Sequence, residues 1–158
     1  RYLARRLIRM ANEDVGLAQP EAMAQAVHAA EVYERLGSPE GELALAQVTV
    51  HLALAPKSNA VYKAYAAARR AAKEHGSLMP PAHILNAPTR LMKDLGYGRD
   101  YTYDHEFEHH YRYKKCFPEQ MSEQTYYDPS NFGFEREVRK RLDWWARLRK
   151  QQEDGDDE

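Results

Sequence analysis

The spacing of apolar residues predicts a series of helices over the first 76 residues. Apolar side chains recur there at intervals of three and four residues, which is the period of one face of an α-helix. The first predicted helix runs from Arg1 to about Asp14 and ends near Gly16, and the second begins at Pro20 and ends at Gly37. Proline at a helix start and glycine just past a helix end are typical of these positions.

A third helix is predicted to begin at Ser38-Pro39 and to end before Pro56. A serine oxygen can accept a hydrogen bond from the free N–H groups of a first turn, and proline fits the first helical position. The apolar stripe of the second helix is Met23, Val27, Ala30 and Tyr33 or Glu34, and the apolar positions of the third are Leu43, Leu45, Val50 and Leu54.

A fourth helix is predicted to follow a cap at Ser58 or Asn59 and to end at Gly76. Nineteen alanines fall within residues 1–76. Small side chains allow helix axes to approach closely. We therefore predict an all-α fold, a compact antiparallel helical bundle, with burial as the simplest role of these apolar positions.

The chain changes character after Gly76. A short helix is predicted over 88–95, and a long, irregular but ordered loop over 97–132, where a short strand pair at Tyr101 to Tyr103 is one option. Helical spacing returns in a last helix over 134–150. The apolar stripe of that helix is Phe134, Val138, Leu142, Trp145 and Leu148.

Composition limits the class of protein. The 158 residues suit one domain, predicted over 1–152, and the start at Arg1 within an amphipathic pattern indicates a piece of a longer chain. The single Cys116 excludes an internal disulfide. No apolar run is as long as a membrane-spanning helix, so no membrane partner is expected.

The formal charge of −1 is unevenly distributed. The segment 153–158 holds five of the 24 acidic groups, so residues 1–152 carry 23 basic against 19 acidic groups. That excess is small for a dedicated nucleic-acid-binding domain. The acidic segment 153–158 is predicted to be a disordered tail.

One short stretch matches a catalytic motif. His105-Glu106-Phe107-Glu108-His109 has the H-E-x-x-H pattern of zinc metalloproteases, in which a helix directs two imidazoles at one ion. The flanking residues lack helical periodicity, and no histidine follows His110 as a third ligand. We therefore interpret the stretch as a polar loop and keep a zinc metalloenzyme as the weakest alternative. No catalytic, cofactor-binding or metal-binding residue is assigned.

Two sets of residues are candidates for binding. A polar turn between apolar helices can cap a helix or meet a neighbouring subunit, and the candidates for such subunit or loop contacts are Lys57, Ser58, Asn59 and Asn86. The last helix has a basic face that could contact phosphates, which makes a DNA-binding module the main alternative function. The candidates on that face are Arg136, Arg139, Lys140 and Arg147.

Three long segments carry a resemblance to a known family: SPEGELALAQ at 38–47, LALAPKSNAVY at 52–62 and NAPTRLMKDLGYG at 86–98. ARRLIRMANEDVGL at 4–17 and Tyr127-Asp-Pro with Gly133 and Glu135 are similar to the same family. Together they resemble the C-terminal region of the RarA/MgsA family of replication-associated recombination AAA+ ATPases, relatives of the Werner-helicase-interacting protein. Before Asn86 the family usually has His-Leu-Arg, where this chain has residues 83–85 as His-Ile-Leu.

The resemblance implies a helical domain related to the clamp-loader collar, through which the family assembles homotetramers. The phosphate-binding and Mg²⁺ motifs of the family have no counterpart here, so this chain is expected to have no enzymatic activity and no cofactor of its own. The full-length protein would bind ATP and Mg²⁺, DNA at replication forks, and single-strand DNA-binding protein. It would be a bacterial, cytoplasmic, nucleoid-associated protein. We therefore predict a non-catalytic assembly domain.

Overall fold

The computed structural model describes residues 1–155. These residues form helices and irregular segments, and no strand occurs among them. The all-α prediction is confirmed. The option of a strand pair at Tyr101 to Tyr103 is wrong, because the Lys114 ammonium, rather than a partner strand, donates a hydrogen bond to the Thr102 carbonyl at 2.6 Å. The helices are α1 (Tyr2–Met10), α2 (Glu21–Leu36), α3 (Glu40–Leu54), α4 (Ala60–His75), α5 (Arg90–Asp94) and α6 (Glu135–Gly155).

The chain divides into two compact units. The first consists of Arg1–Arg69 with Tyr126–Asp143, and the second of Arg70–Thr125 with the chain from Trp144 onward. Helices α4 and α6 each contribute to both units. The single domain over 1–152 stays a prediction.

The local signals in the sequence located the helices well. α2 begins after Pro20 and ends before Gly37, and α3 begins after Pro39. α1 continues beyond Met10 in a wide π-helical turn, Ala11–Val15. α6 ends at Gly155, beyond the predicted end at 150, and so includes the start of the predicted disordered tail. The remainder of that tail, 156–158, lies outside the described residues.

The core of the first unit is built largely from alanine. Alanines on α1, its π-helical extension, α2 and the end of α3 pack around five larger side chains, so the three helices approach closely, as the alanine content predicts. Gly41 lies at the crossing of α2 and α3, where an added Cβ would be 2.6 Å from the Tyr33 Cα. The core residues are Ala4, Leu7, Ala11, Val15, Ala22, Ala26, Ala29, Leu45, Val48, Leu52 and Ala55.

The buried face of α2 differs from the predicted stripe. The helix buries Ala22, Ala26 and Ala29, while Met23 and Val27 are 50% and 37% exposed. Only the small side chains fit where α2 lies against α1 and α3, and the larger apolar residues occupy the neighbouring face. Apolar spacing therefore predicted the helix but not the face that it buries.

In the second unit, residues 111–113 run along the end of α6. Gln152 accepts a hydrogen bond from the Tyr113 N–H at 2.9 Å and donates to the Tyr111 carbonyl at 3.2 Å. Trp145, which the apolar stripe of α6 would place in a core, is 38% exposed and stacks on Tyr111 with ring centroids 6.1 Å apart. Arg149 lies over the Tyr113 ring at 3.7 Å. The irregular loop is thus tied to α6 by specific contacts.

Candidate functional site

Lys57 closes the C-terminal end of α3. The last carbonyls of a helix have no partner within it and carry partial negative charge, so a lysine there is favourable. The Lys57 ammonium donates hydrogen bonds to the carbonyls of Leu52 at 2.7 Å and Ala55 at 2.5 Å. The cation of this candidate contact residue is therefore used within its own chain.

Replacing Lys57 with methionine is expected to lower the free energy of unfolding by about 1–2 kcal/mol, because two carbonyls lose a charged donor. Urea denaturation of the chain measures the change. Lys63→Met is the matched control, since Lys63 is exposed and its ammonium has no hydrogen bond among the described residues. The control should stay within about 0.5 kcal/mol, and equal losses in both variants would contradict this role of Lys57.

Ser58 connects three parts of the first unit. Its N–H donates to the Asp14 carbonyl at 2.8 Å, and its hydroxyl oxygen accepts from the Ala60 N–H at 3.2 Å, at the first residue of α4. The residue is only 8% exposed. The capping interpretation of this turn therefore agrees with the geometry, and Ser58 makes loop contacts inside the unit.

Glu135, the first residue of α6, is a fully buried carboxylate. It accepts hydrogen bonds from the Tyr127 hydroxyl and the Ser130 N–H, each at 2.8 Å. Burial alone would raise the pKa of Glu135, but hydrogen bonds from the side chains of Ser130 and Ser58, the Ser130 N–H and Tyr127 outweigh burial and lower that pKa. The carboxylate therefore stays charged and holds the 57–59 turn, the segment before α6 and α6 together.

Tyr127 is the complementary member of this group. Burial, followed by its hydrogen bond to Glu135 and the charge of that carboxylate, raises the pKa of the Tyr127 phenol. The phenol therefore keeps its proton and acts only as a donor. Because the Tyr127 hydroxyl and the Ser130 N–H both donate to Glu135, the arrangement is suited to holding structure and not to proton transfer.

The turn at 57–59 borders an open cleft of about 750 Å³ in the first unit. Arg139 also borders it, and its guanidinium donates to Asp128 at 3.0 Å and to the Pro129 carbonyl. The fold thus brings the predicted contact residues of the turn and one predicted DNA-contact residue into one cleft. The cleft is lined by Met10, Asp14, Lys57, Ser58, Asn59, Ala60, Lys63, Tyr126, Asp128, Pro129, Ser130, Phe132 and Arg139.

The other candidate DNA contacts are distributed along α6. Lys140 forms an ion pair with Glu137 at 2.9 Å, and the Arg136 Nε lies 3.4 Å from the Gly133 carbonyl. Arg147 is exposed. Arg139 and Lys140 are thus partly neutralised by neighbouring carboxylates, and contact of these four residues with DNA stays a prediction.

Asn86 belongs to the second unit. It is exposed and borders a cavity of about 500 Å³ with His83, Lys93, Tyr97 and Tyr101. Its role as a contact residue stays a prediction, and it is not part of the cleft of the first unit.

The H-E-x-x-H stretch is not an α-helix. Asp104–Glu106 and Glu108–His110 form two short 3₁₀ turns, and His109 has a positive φ of 64°. The His109 ring contacts Trp144 with centroids 5.4 Å apart, whereas His105 contacts Tyr103 and His110. The zincin geometry, which requires i and i+4 on one helical face, is therefore absent from this stretch. Among the residues described, no group of three or more ligating side chains could hold a metal ion.

Among the described residues, the two large apolar side chains with the highest exposed fractions, Leu54 and Leu43, lie on α3, and neither was among the candidates. Leu43, Val50 and Leu54 are 73%, 60% and 82% exposed. Their spacing places them on one face, and the buried residues Leu45, Val48 and Leu52 lie on the opposite face. The sequence already indicated this surface, because apolar residues lie on both faces of α3. That distribution is typical of a helix that is covered on both sides. We call Leu43, Val50 and Leu54 the outer face of α3.

Comparison with known proteins identifies the family. A family model described as "MgsA AAA+ ATPase C terminal" matches residues 1–146. The chain is 47% identical over 157 residues to Replication-associated recombination protein A of Coxiella burnetii, covering 99% of this chain and 36% of that protein. It is 45% identical over 146 residues to the Escherichia coli K12 protein of the same name, covering 92% and 33%. It is also 38% identical over 128 residues to ATPase WRNIP1 of Dictyostelium discoideum, covering 80% and 15%.

The chain thus spans about a third of the length of the two bacterial relatives. It corresponds to the C-terminal part of these ATPases, and the prediction that it carries no ATPase core of its own agrees with that match. No helix within residues 1–155 combines the length and hydropathy of a transmembrane span. This chain belongs to the family of C-terminal regions of the MgsA AAA+ ATPases.

Proposed function

We propose that this chain is a non-catalytic assembly module that joins copies of a replication-associated AAA+ ATPase into a homotetramer. The observation that carries the proposal is the outer face of α3, defined above. A soluble domain rarely leaves three large aliphatic side chains of one helix more than half exposed on one face. A second copy of the chain would remove that face from water.

The charge around this face supports a partner of the same kind. The outer face lies on a helix whose last three turns, residues 43–54, contain no Asp, Glu, Lys or Arg. Interfaces between copies of one chain are depleted in charge at their centres and more apolar than transient ones. The composition of α3 therefore favours association with an equally apolar surface.

Substitution of the outer face tests the proposal. We expect Leu43→Glu combined with Leu54→Glu to convert the oligomer to monomer, because two buried carboxylates per chain would lack partners. Sedimentation equilibrium or light scattering across micromolar concentrations measures the molar mass. Thermal unfolding should show that the monomer stays folded, since exposed substitutions change stability by about 0.5 kcal/mol or less.

Leu91→Glu is the matched control. Leu91 is a similarly exposed leucine, 68%, on α5 in the second unit. This variant should keep the molar mass of the parent chain. A parent chain that is monomeric at high micromolar concentration, or an oligomer that survives the double substitution, would contradict the proposal.

The whole protein would supply the remaining activities. By resemblance, we extend the proposal to a bacterial cytoplasmic, nucleoid-associated ATPase that binds ATP with Mg²⁺, acts on DNA at replication forks and meets single-strand DNA-binding protein. The subunit contacts of Lys57, Ser58, Asn59 and Asn86 are secondary to the outer face of α3 in this proposal, because Lys57 and Ser58 already have partners in their own chain.

A further inference from the structure

The loop of the second unit turns sharply at His109 and His110. Both residues have a positive φ, 64° and 51°, which is uncommon for a residue with a side chain. The His110 N–H donates to the Phe107 carbonyl at 3.0 Å and closes the turn. Backbone in this region costs free energy, and it is found most often where a structure holds side chains for a ligand.

The turn brings two imidazoles together. The ring centroids of His105 and His110 lie 5.0 Å apart, with the ring planes inclined at 57°. Both side chains are exposed, and the Tyr103 ring contacts that of His105 on the chain before it. The H-E-x-x-H pattern would pair His105 with His109, but the His109 ring contacts Trp144 instead. The fold therefore selects a different pair of histidines from the one that the motif suggests.

The separation of the two rings suits a single bound ion. Zn²⁺ binds an imidazole nitrogen at about 2.0–2.1 Å, so the ion lies about 3.2 Å from the ring centroid. Two imidazoles at a tetrahedral angle on one ion then have centroids about 5 Å apart. The 5.0 Å between His105 and His110 matches this value, so both rings can reach one ion with small side-chain rotations.

The local charge favours a cation. Residues 100–111 contain four acidic residues and three histidines but no lysine or arginine. Lys114, the nearest lysine along the chain, is paired with Asp104 at 2.5 Å. A surrounding excess of carboxylates attracts divalent cations, and imidazole ligands select zinc and its neighbours over Mg²⁺ and Ca²⁺, which prefer oxygen.

From this arrangement we propose that His105 and His110 form a binding site for a divalent transition-metal ion, with Zn²⁺ as the expected occupant. Water would complete the coordination, because no group of three ligating side chains occurs among the described residues. Catalytic zinc sites have three protein ligands and structural sites have four. An ion held by two ligands exchanges with the medium, so occupancy would follow the free zinc concentration and the bound ion would fasten the loop.

Calorimetric titration of the chain, prepared without a histidine tag, with ZnCl₂ in a buffer that does not chelate metals tests the site. We expect one equivalent of zinc per chain. His105→Gln and His110→Gln should each weaken binding by at least about tenfold, since each removes one of two ligands. An equal concentration of MgCl₂ should not compete. Circular dichroism of each variant checks that the helices are intact.

His109→Gln is the matched control, because His109 belongs to the same turn and to the H-E-x-x-H pattern. It should keep the zinc affinity of the parent chain. A second control is His28→Gln with His51→Gln, which removes two histidines that border one groove of the first unit. This variant should also bind zinc normally.

The assembly proposal is tested separately. Leu43→Glu with Leu54→Glu should bind the same amount of zinc per chain, because the outer face of α3 is not part of the site. Three results would overturn the inference: no zinc bound by the parent chain, undiminished binding in His105→Gln or His110→Gln, or an equal loss in His109→Gln. The last result would indicate that the ion is held by the histidines of the motif or by the stretch as a whole.

Discussion

Replacing the buried Glu135 with alanine is expected to lower the free energy of unfolding of this chain by about 3–5 kcal/mol. The Tyr127 hydroxyl and the Ser130 N–H donate to this carboxylate, and Ser58 bonds to it as well. Without the carboxylate, these groups would stay buried with no acceptor. Urea denaturation measures the loss, and Tyr127→Phe, which removes a single donor, should lose only about 1 kcal/mol.

The pH dependence of stability separates the charge of Glu135 from its shape. Its pKa is lowered in the folded chain, so below the ordinary glutamate value of about 4.3 the unfolded state binds the proton first. The contribution of Glu135 is therefore fully present above that pH and is lost as the pH falls through the folded pKa. Glu135→Gln should lower stability at neutral pH and flatten the acid side of the stability profile.

Glu137→Gln is the matched control for both measurements. Glu137 lies two residues after Glu135 on α6, is exposed, and forms a surface ion pair with Lys140 at 2.9 Å. Surface ion pairs of this kind contribute about 0–1 kcal/mol. A loss in this variant as large as that of Glu135→Gln, or an unchanged acid profile in Glu135→Gln, would contradict the role given to the buried carboxylate.

Gly133→Ala is expected to destabilise the chain by about 2–5 kcal/mol. Gly133 has a φ of +53°, which L-residues rarely adopt. An added Cβ would overlap the Ala18 carbonyl oxygen and lie 2.8 Å from the Pro56 Cγ, and the same carbonyl accepts the Phe134 N–H at 2.8 Å. The backbone that leads into α6 would therefore have to move away from its acceptor.

Gly37→Ala separates backbone strain from the close contact. Gly37 also has a positive φ, +71°, but nothing lies within 4 Å of an added Cβ. This control should lose only the cost of placing a side chain on a backbone with φ of +71° and ψ of −158°, about 1–3 kcal/mol. Equal melting temperatures of the two variants in thermal unfolding would show that the contact with Ala18 does not matter.

The helix ends were predictable because their signals are local. Pro20 before α2, Gly37 after it and Pro39 before α3 act through their own backbone dihedrals, whatever the rest of the chain does. The end of α6 was less predictable, because no proline or glycine follows residue 150 until Gly155. In the second unit Gln152 bonds to the backbone at residues 111 and 113, a contact that no local pattern reveals.

The candidate site was predictable only in part. The turn at 57–59 was selected because polar residues between apolar helices are conspicuous, but the carbonyl partners of Lys57 become visible only when α3 is folded. Glu135 entered only through the family resemblance, because an isolated glutamate on a charged helix is normally exposed. Its burial depends on donors at positions 58, 127 and 130, which are far apart in the chain or separated by irregular structure.

The sequence by itself determined the helical class, the start and end of α2, the start of α3, the absence of an internal disulfide and the family of the chain. Local dihedral preferences, residue counts and long matching segments do not depend on packing. Only the tertiary structure decided which face each apolar helix buries. α3 carries leucine and valine on both sides, so its own composition cannot distinguish Leu45, Val48 and Leu52 from the outer face. The choice follows from which side the alanine faces of α1 and α2 can approach.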